Sequence, residues 1–145
     1  MGNDYESDVV AWANEQAALL RSGKLSDIDI EHIAEEIEDV GKSEQRELVR
    51  RVAMLLADLL KWQYQPDLRT PSSRVLLRVQ RERLNVRLHK TPSLKLMLVD
   101  PEWIVDMWAD ALRDASKATN IGYAFFPETC PWPMEDVLSQ EFHPD

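Results

Sequence analysis

Between Leu48 and Trp62 the chain carries apolar side chains at nearly every position that a helix could bury. Leu48, Val52, Leu55, Leu59 and Trp62 form one seam at three-to-four spacing, and Val49, Ala53, Leu56 and Leu60 widen it. A helix that is apolar over so much of its circumference must be contacted from at least two sides, which places it at the centre of a bundle. Its start is predicted at Ser43, a capping residue just beyond Gly41, and its end at Gln65, because Pro66 disfavours helix in the residue before it.

The other segments read as helices of the same kind. A first helix is expected from near Asp4 or Ser7 to Gly23, burying Tyr5, Val9, Trp12, Ala13, Ala17 and Leu20. A second follows the capping run Ser26-Asp27-Ile28-Asp29. Its stripe is Ile30, Ile33, Ala34, Ile37 and Val40, with Gly41 as a stop or kink. Thr70-Pro71, Thr91-Pro92 and Asp100-Pro101 each pair a cap with a proline at the first helical position. The first pair opens a helix to about Lys90, with Leu76, Leu77, Val79, Leu84 and Leu88 facing in and Arg74, Arg78, Arg81, Arg83 and Arg87 facing out. The second opens a short helix to Val99. The third opens a longer one in which Trp103, Ile104, Met107, Trp108, Ala111, Leu112 and Ala115 recur. After Asn120-Ile121-Gly122 the chain turns proline-rich, and a last short helix is expected from Met134 to Gln140. Four glycines among so many helix formers leave little for the turns of a sheet. The expectation is therefore all-α: a single-domain helical bundle of four to five main helices, spanning residues 1–145, with the proline-rich C-terminal tail packed over it.

Charge is segregated along this chain. Residues 1–44 hold 3 basic and 12 acidic side chains, residues 61–95 hold 9 and 2, and residues 96–145 hold 2 and 10. A basic segment thus lies between two acidic ones, within a net charge of −9. No run of about 18 apolar residues exists, so no membrane span is expected. The acidic N-terminus has neither the basic nor the apolar region of a signal peptide, and the lone Cys130 fits a reducing compartment, so the expected location is cytoplasmic.

Three groups of residues could carry chemistry. Helical spacing brings His32 beside Glu35 and Glu36, which suggests half of a metal site in a bundle. The familiar Glu-x-x-His order is reversed, however, and no second copy exists, so these acids read as a solvated face. Facing outward they would serve as a clasp for the basic helix; facing inward they would line a site. Arg78 and Arg81, with their basic neighbours, could bind phosphate in nucleic acid, but the acidic segments outweigh them and disfavour a polyanion. Lys61, Trp62 and Tyr64 set a cation and two aromatics at the end of the longest helix, where a ligand or peptide pocket competes with ordinary packing. Cys130 has no His or Asp nearby, His89 and His143 stand alone, and there is no phosphate loop, zinc-spaced cysteine pair or nucleophile elbow.

Several of these runs resemble those of the bacterial family called domain of unknown function 29. The most specific are Ala34-Glu35-Glu36-Ile37-Glu38, Leu60-Lys61-Trp62-Gln63-Tyr64-Gln65-Pro66, Pro92-Ser93-Leu94 and Phe126-Pro127-Glu128-Thr129-Cys130-Pro131-Trp132. Trp132 stands where the family tends to have tyrosine. The resemblance implies a compact all-helical bacterial protein and brings no catalytic residues with it. The function expected is that of a non-enzymatic interaction module with a protein partner or a second copy of itself, and no cofactor. The alternatives are a metal-dependent enzyme using His32, Glu35 and Glu36, and nucleic-acid binding through helix 71–90.

Overall fold

In the computed structural model, which describes residues 2–145, every regular element is helical and no strand occurs among the described residues. There are five α-helices: α1 (Val9–Arg21), α2 (Ile30–Tyr64), α3 (Pro71–Lys90), α4 (Pro101–Thr119) and α5 (Met134–Leu138), with short 3-10 segments between them. The chain divides into two compact units, Met1–Glu44 and Gln45–Asp145. No helix among the described residues is long and apolar enough to cross a membrane.

Gly41 does not end a helix and Ser43 does not start one, because α2 runs unbroken for 35 residues. An interior glycine costs a helix only about 1 kcal/mol relative to alanine, and the Glu, Arg, Leu and Ala residues around it are strong helix formers. Nor does Ser26 cap α2, since Leu25–Asp27 forms a 3-10 turn. Asp29 caps it instead: its carboxylate accepts from the His32 amide at 3.3 Å and its carbonyl from the Ile33 amide at 3.0 Å.

Within the first unit, α1 is capped by Asp8, which accepts from the Ala11 amide, and is followed by Gly23 at φ +75°. That left-handed turn strongly favours glycine. Only Trp12 and Gln16 of α1 are buried. Val9, Ala13 and Leu20, expected inside, are exposed, and so are Ile30, Ala34, Ile37 and Val40 on α2. A unit of this size has too little chain to cover both faces of its helices.

The second unit holds the main core. Leu48, Val52, Leu55, Leu56, Leu59 and Leu60 of α2 are fully buried, as the apolar run requires. They pack with Leu77, Leu84 and Leu88 of α3 and with Met107, Trp108, Ala111 and Ala115 of α4. Thr70 and Ser73 cap α3 reciprocally with Pro71 at its first position, and Asp100 caps α4. The segment Pro92–Val99 is 3-10 rather than α-helical, and it buries Leu94, Met97 and Leu98. Asn120, at φ 61°, ends α4 in the left-handed conformation. The tail packs on this core through buried Phe126 and Val137. Trp108 donates its indole N–H to the Pro127 carbonyl at 3.0 Å, and Trp132 meets the Trp108 ring edge-on at 5.7 Å. Two expectations for α3 fail: Leu76 is 47% exposed and Arg81 is completely buried. The inward face runs through positions 77, 81, 84 and 88, so Arg81 shares the leucine seam and Leu76 sits off it.

Candidate functional site

Arg81 is the centre of the most unusual arrangement in the second unit. Its Nε donates to the Val137 carbonyl at 2.8 Å, which ties α3 to α5, while Nη2 is buried without a hydrogen-bond partner. No carboxylate forms an ion pair with it among the described residues, and burial alone pushes its pKa down from the ordinary arginine value. Helical spacing puts Arg78 and Arg74 on the same stripe of α3, one and two turns before it respectively. Gln140 donates to the Arg78 carbonyl at 2.9 Å, and Asn85 reaches the Leu138 carbonyl at 3.4 Å, so the tail is strapped along α3 by several bonds.

Arg74, Val75, Arg78, Arg81, Gln140 and His143 line a cavity of about 220 Å³. Behind it stands Trp62, with the Arg74 and Arg69 guanidinium carbons 4.9 and 5.1 Å from its ring centroid and the His143 ring at 5.1 Å. Burial, followed by the positive charges of Arg81 and Arg74, holds the His143 pKa below its ordinary 6.5. Three guanidiniums line the nest, Arg78 with Glu82 4.0 Å away and Arg81 with no acid beside it among the described residues, and it can receive an anion.

A second cluster lies in the first unit. Asp29 Oδ2 accepts from the Trp12 indole at 2.9 Å and lies 2.7 Å from His32 Nδ1, while the Asp29 amide donates to Gln16 at 2.7 Å. Tyr5 stacks on His32 at 4.2 Å, meets Trp12 edge-on at 4.7 Å, and donates its hydroxyl to Glu36 at 2.5 Å. The bond from His32 is the main cause lowering the Asp29 pKa, and the same bond raises that of His32. The Glu36 carboxylate, which stabilises the phenol in its protonated form, pushes Tyr5 up to about 12. Each polar group here closes on another, so the cluster works as a lock joining α1 to the beginning of α2. Among the described residues, no group of three or more His, Cys, Asp and Glu side chains is placed to hold a metal ion.

The profile of one protein family, a domain of unknown function (DUF29), matches residues 5–143, nearly the whole chain. The chain belongs to the DUF29 family. No curated protein and no solved structure matches it.

In this DUF29 chain, the residues singled out in the sequence are distributed among different surroundings. His32 engages Asp29 and, more distantly, Glu6 at 3.6 Å, both N-terminal to it on the chain. Glu36 turns to Tyr5, and Glu35 is exposed. Lys61 pairs with Asp58 at 2.8 Å. Trp62 is buried beside the cationic nest, whereas Tyr64 packs edge-on against Phe126 at 5.0 Å, so the two aromatics do not share a pocket. Arg78 is exposed at the cavity and Arg81 forms its buried wall, which corrects the outward placement of Arg81. Sequence reasoning missed His143 and Gln140. Nothing local in Gln140-Glu141-Phe142-His143 marks them, because their role depends on where the tail lands. Arg81 was findable: an arginine on a leucine seam, four residues after Leu77 and three before Leu84, signals a buried charge.

Proposed function

We propose that the protein is a non-enzymatic helical interaction module, acting in the cytoplasm, whose first unit docks a basic amphipathic helix of a partner protein. The observation that carries this reading is the apolar face on the first turns of α2, where Ile30, Ile37 and Val40 are 66%, 67% and 68% exposed. Burying one such side chain contributes roughly 1.5–3 kcal/mol, so a face of three is a substantial unused source of affinity. The same turns of α2 carry exposed Glu31, Glu35, Glu38 and Asp39, in a segment whose charge sums to −9 over residues 1–44. Symmetric self-pairing through it would set these acids against their own copies, whereas a helix with Lys or Arg beside an apolar stripe would complement them.

The test is fluorescence anisotropy with two labelled helical peptides of identical leucine pattern, one bearing lysines and the other glutamates. The lysine peptide should bind, more weakly as salt rises, and Ile37→Asp should cost it about tenfold or more in affinity. Equal binding of both peptides, or no binding of either, would contradict the proposal. A dimer by light scattering that Ile37→Asp dissolves would assign the face to a second copy instead.

A further inference from the structure

We infer that the cavity between α3 and the C-terminal tail binds the terminal phosphate of a small metabolite, a phosphate monoester dianion held against Arg81. The first ground is the isolation of that guanidinium. Other cations in the same unit have acids beside them: Arg50 and Arg51 with Glu47, Lys61 with Asp58, and Arg113 with Asp110 and Asp114. Arg81 is fully buried and has none among the described residues, although the chain carries 26 acidic side chains. Removing a charge from water costs several kcal/mol unless it is paired, so an unpaired buried cation marks a place where a counter-charge is supplied from outside.

The second ground is convergence. A strap between α3 and the tail needs only the Nε bond to Val137, which is present, and that bond leaves Nη2 buried and unused. It also leaves unexplained why Arg74, Arg78 and His143 line the same cavity, with no carboxylate among the lining residues. Strapping alone would favour separating these charges. An arginine fork with a free donor, flanked by two more guanidiniums and an imidazole, matches the several oxygens of a phosphate.

Size and charge select the class of ligand. A cavity of about 220 Å³ is smaller than the roughly 300–1,000 Å³ of pockets that engulf whole drug-sized ligands, so it takes a head group and leaves the remainder at the mouth. A terminal monoester carries about −1.5 to −2 charges and three free oxygens. A phosphodiester within a nucleic acid has one charge and two bulky substituents, so it offers fewer free oxygens and less charge to the arginines of the cavity.

The experiment is isothermal titration of the full chain at low ionic strength with inorganic phosphate, glycerol 3-phosphate and a single-stranded oligonucleotide. Saturable one-to-one binding of the monoester is expected, tighter than that of inorganic phosphate and weakened about tenfold or more by Arg78→Gln or Arg74→Gln. Both variants leave the Arg81–Val137 bond in place. Arg81→Gln should abolish binding, and if it does not fold, the two rim variants decide. Inorganic phosphate binding as tightly as the monoester would assign the site to the free ion and overturn the metabolite reading. No saturable heat, or binding indifferent to the rim variants, would overturn the site itself. Tighter binding of the oligonucleotide, lost in the same variants, would overturn the monoester in favour of a polymer.

Discussion

His32 and His143 occupy opposite electrostatic surroundings, and their titrations should separate. His32 is held above its ordinary 6.5 chiefly by its bond to Asp29, and His143 below 6.5 by burial and by Arg81, Arg74 and Arg69. A raised histidine contributes stability that is complete below 6.5 and is lost as pH rises through the folded value; Asp29, held below its ordinary 3.8, loses its contribution as pH falls through the folded value. The Asp29–His32 pair is therefore strongest between those two limits. His143 acts in the other direction: as pH falls below 6.5 the unfolded chain takes up its proton first, and the native state is destabilised. The assigned imidazole NMR signals of His32 and His143 should show midpoints above and below 6.5 respectively, and coincident midpoints for these two would refute at least one of the surroundings. Tyr5 gives an independent check, since one of the chain's three tyrosines should ionise near 12 by absorbance and Glu36→Gln should return it toward 10. At this scale, reading the sequence located the right residues better than their partners. His32 was matched with the glutamates that follow it, but it bonds to the aspartate three residues before it, because Asp29 also caps α2 and is already fixed in place. Spacing along a helix says which side chains can meet; caps and neighbouring helices decide which of them do.

The helices themselves were largely legible, because apolar periodicity and proline caps are local signals. The long seam in α2 and the Thr70-Pro71 and Asp100-Pro101 starts reflect backbone preferences that the residues carry with them. Gly41 resembles a break in the sequence, yet a weak helix former between strong ones is carried through α2. Nothing lies within 4 Å of a methyl group placed there, so Gly41→Ala should stabilise the protein by up to about 1 kcal/mol in urea unfolding. A true stop at that position would make the same change neutral or harmful. Gly23, at φ +75°, predicts the reverse, and Gly23→Ala should destabilise by about 1–2 kcal/mol despite the open space around it. In the middle of α2, Leu56→Ala should cost about 2–5 kcal/mol, since its side chain is fully enclosed by the second unit's core. A loss under about 1 kcal/mol would mean that the core can collapse around the gap.

At the scale of the whole molecule, the boundary between the compact units falls at Glu44 and Gln45, inside α2. No proline- or glycine-rich linker marks it, which is why composition suggested one undivided bundle. The candidate sites were less legible than the fold for a related reason. Arg81 can be suspected from the leucine seam, but His143 lies 62 positions further on and joins the cavity only because the tail returns to α3. The charge blocks, by contrast, are plain in the sequence, and they underlie the central claim that the acidic first unit recruits a basic partner. Photo-cross-linking in the native cell from benzophenone placed at Ile37, compared with Val86 on α3, tests that claim directly, since both positions are about two-thirds exposed. A discrete adduct from position 37 alone, attached to a Lys- or Arg-rich amphipathic segment of another protein, is the expected result. Adducts of equal yield from both positions, or none from position 37, would contradict it.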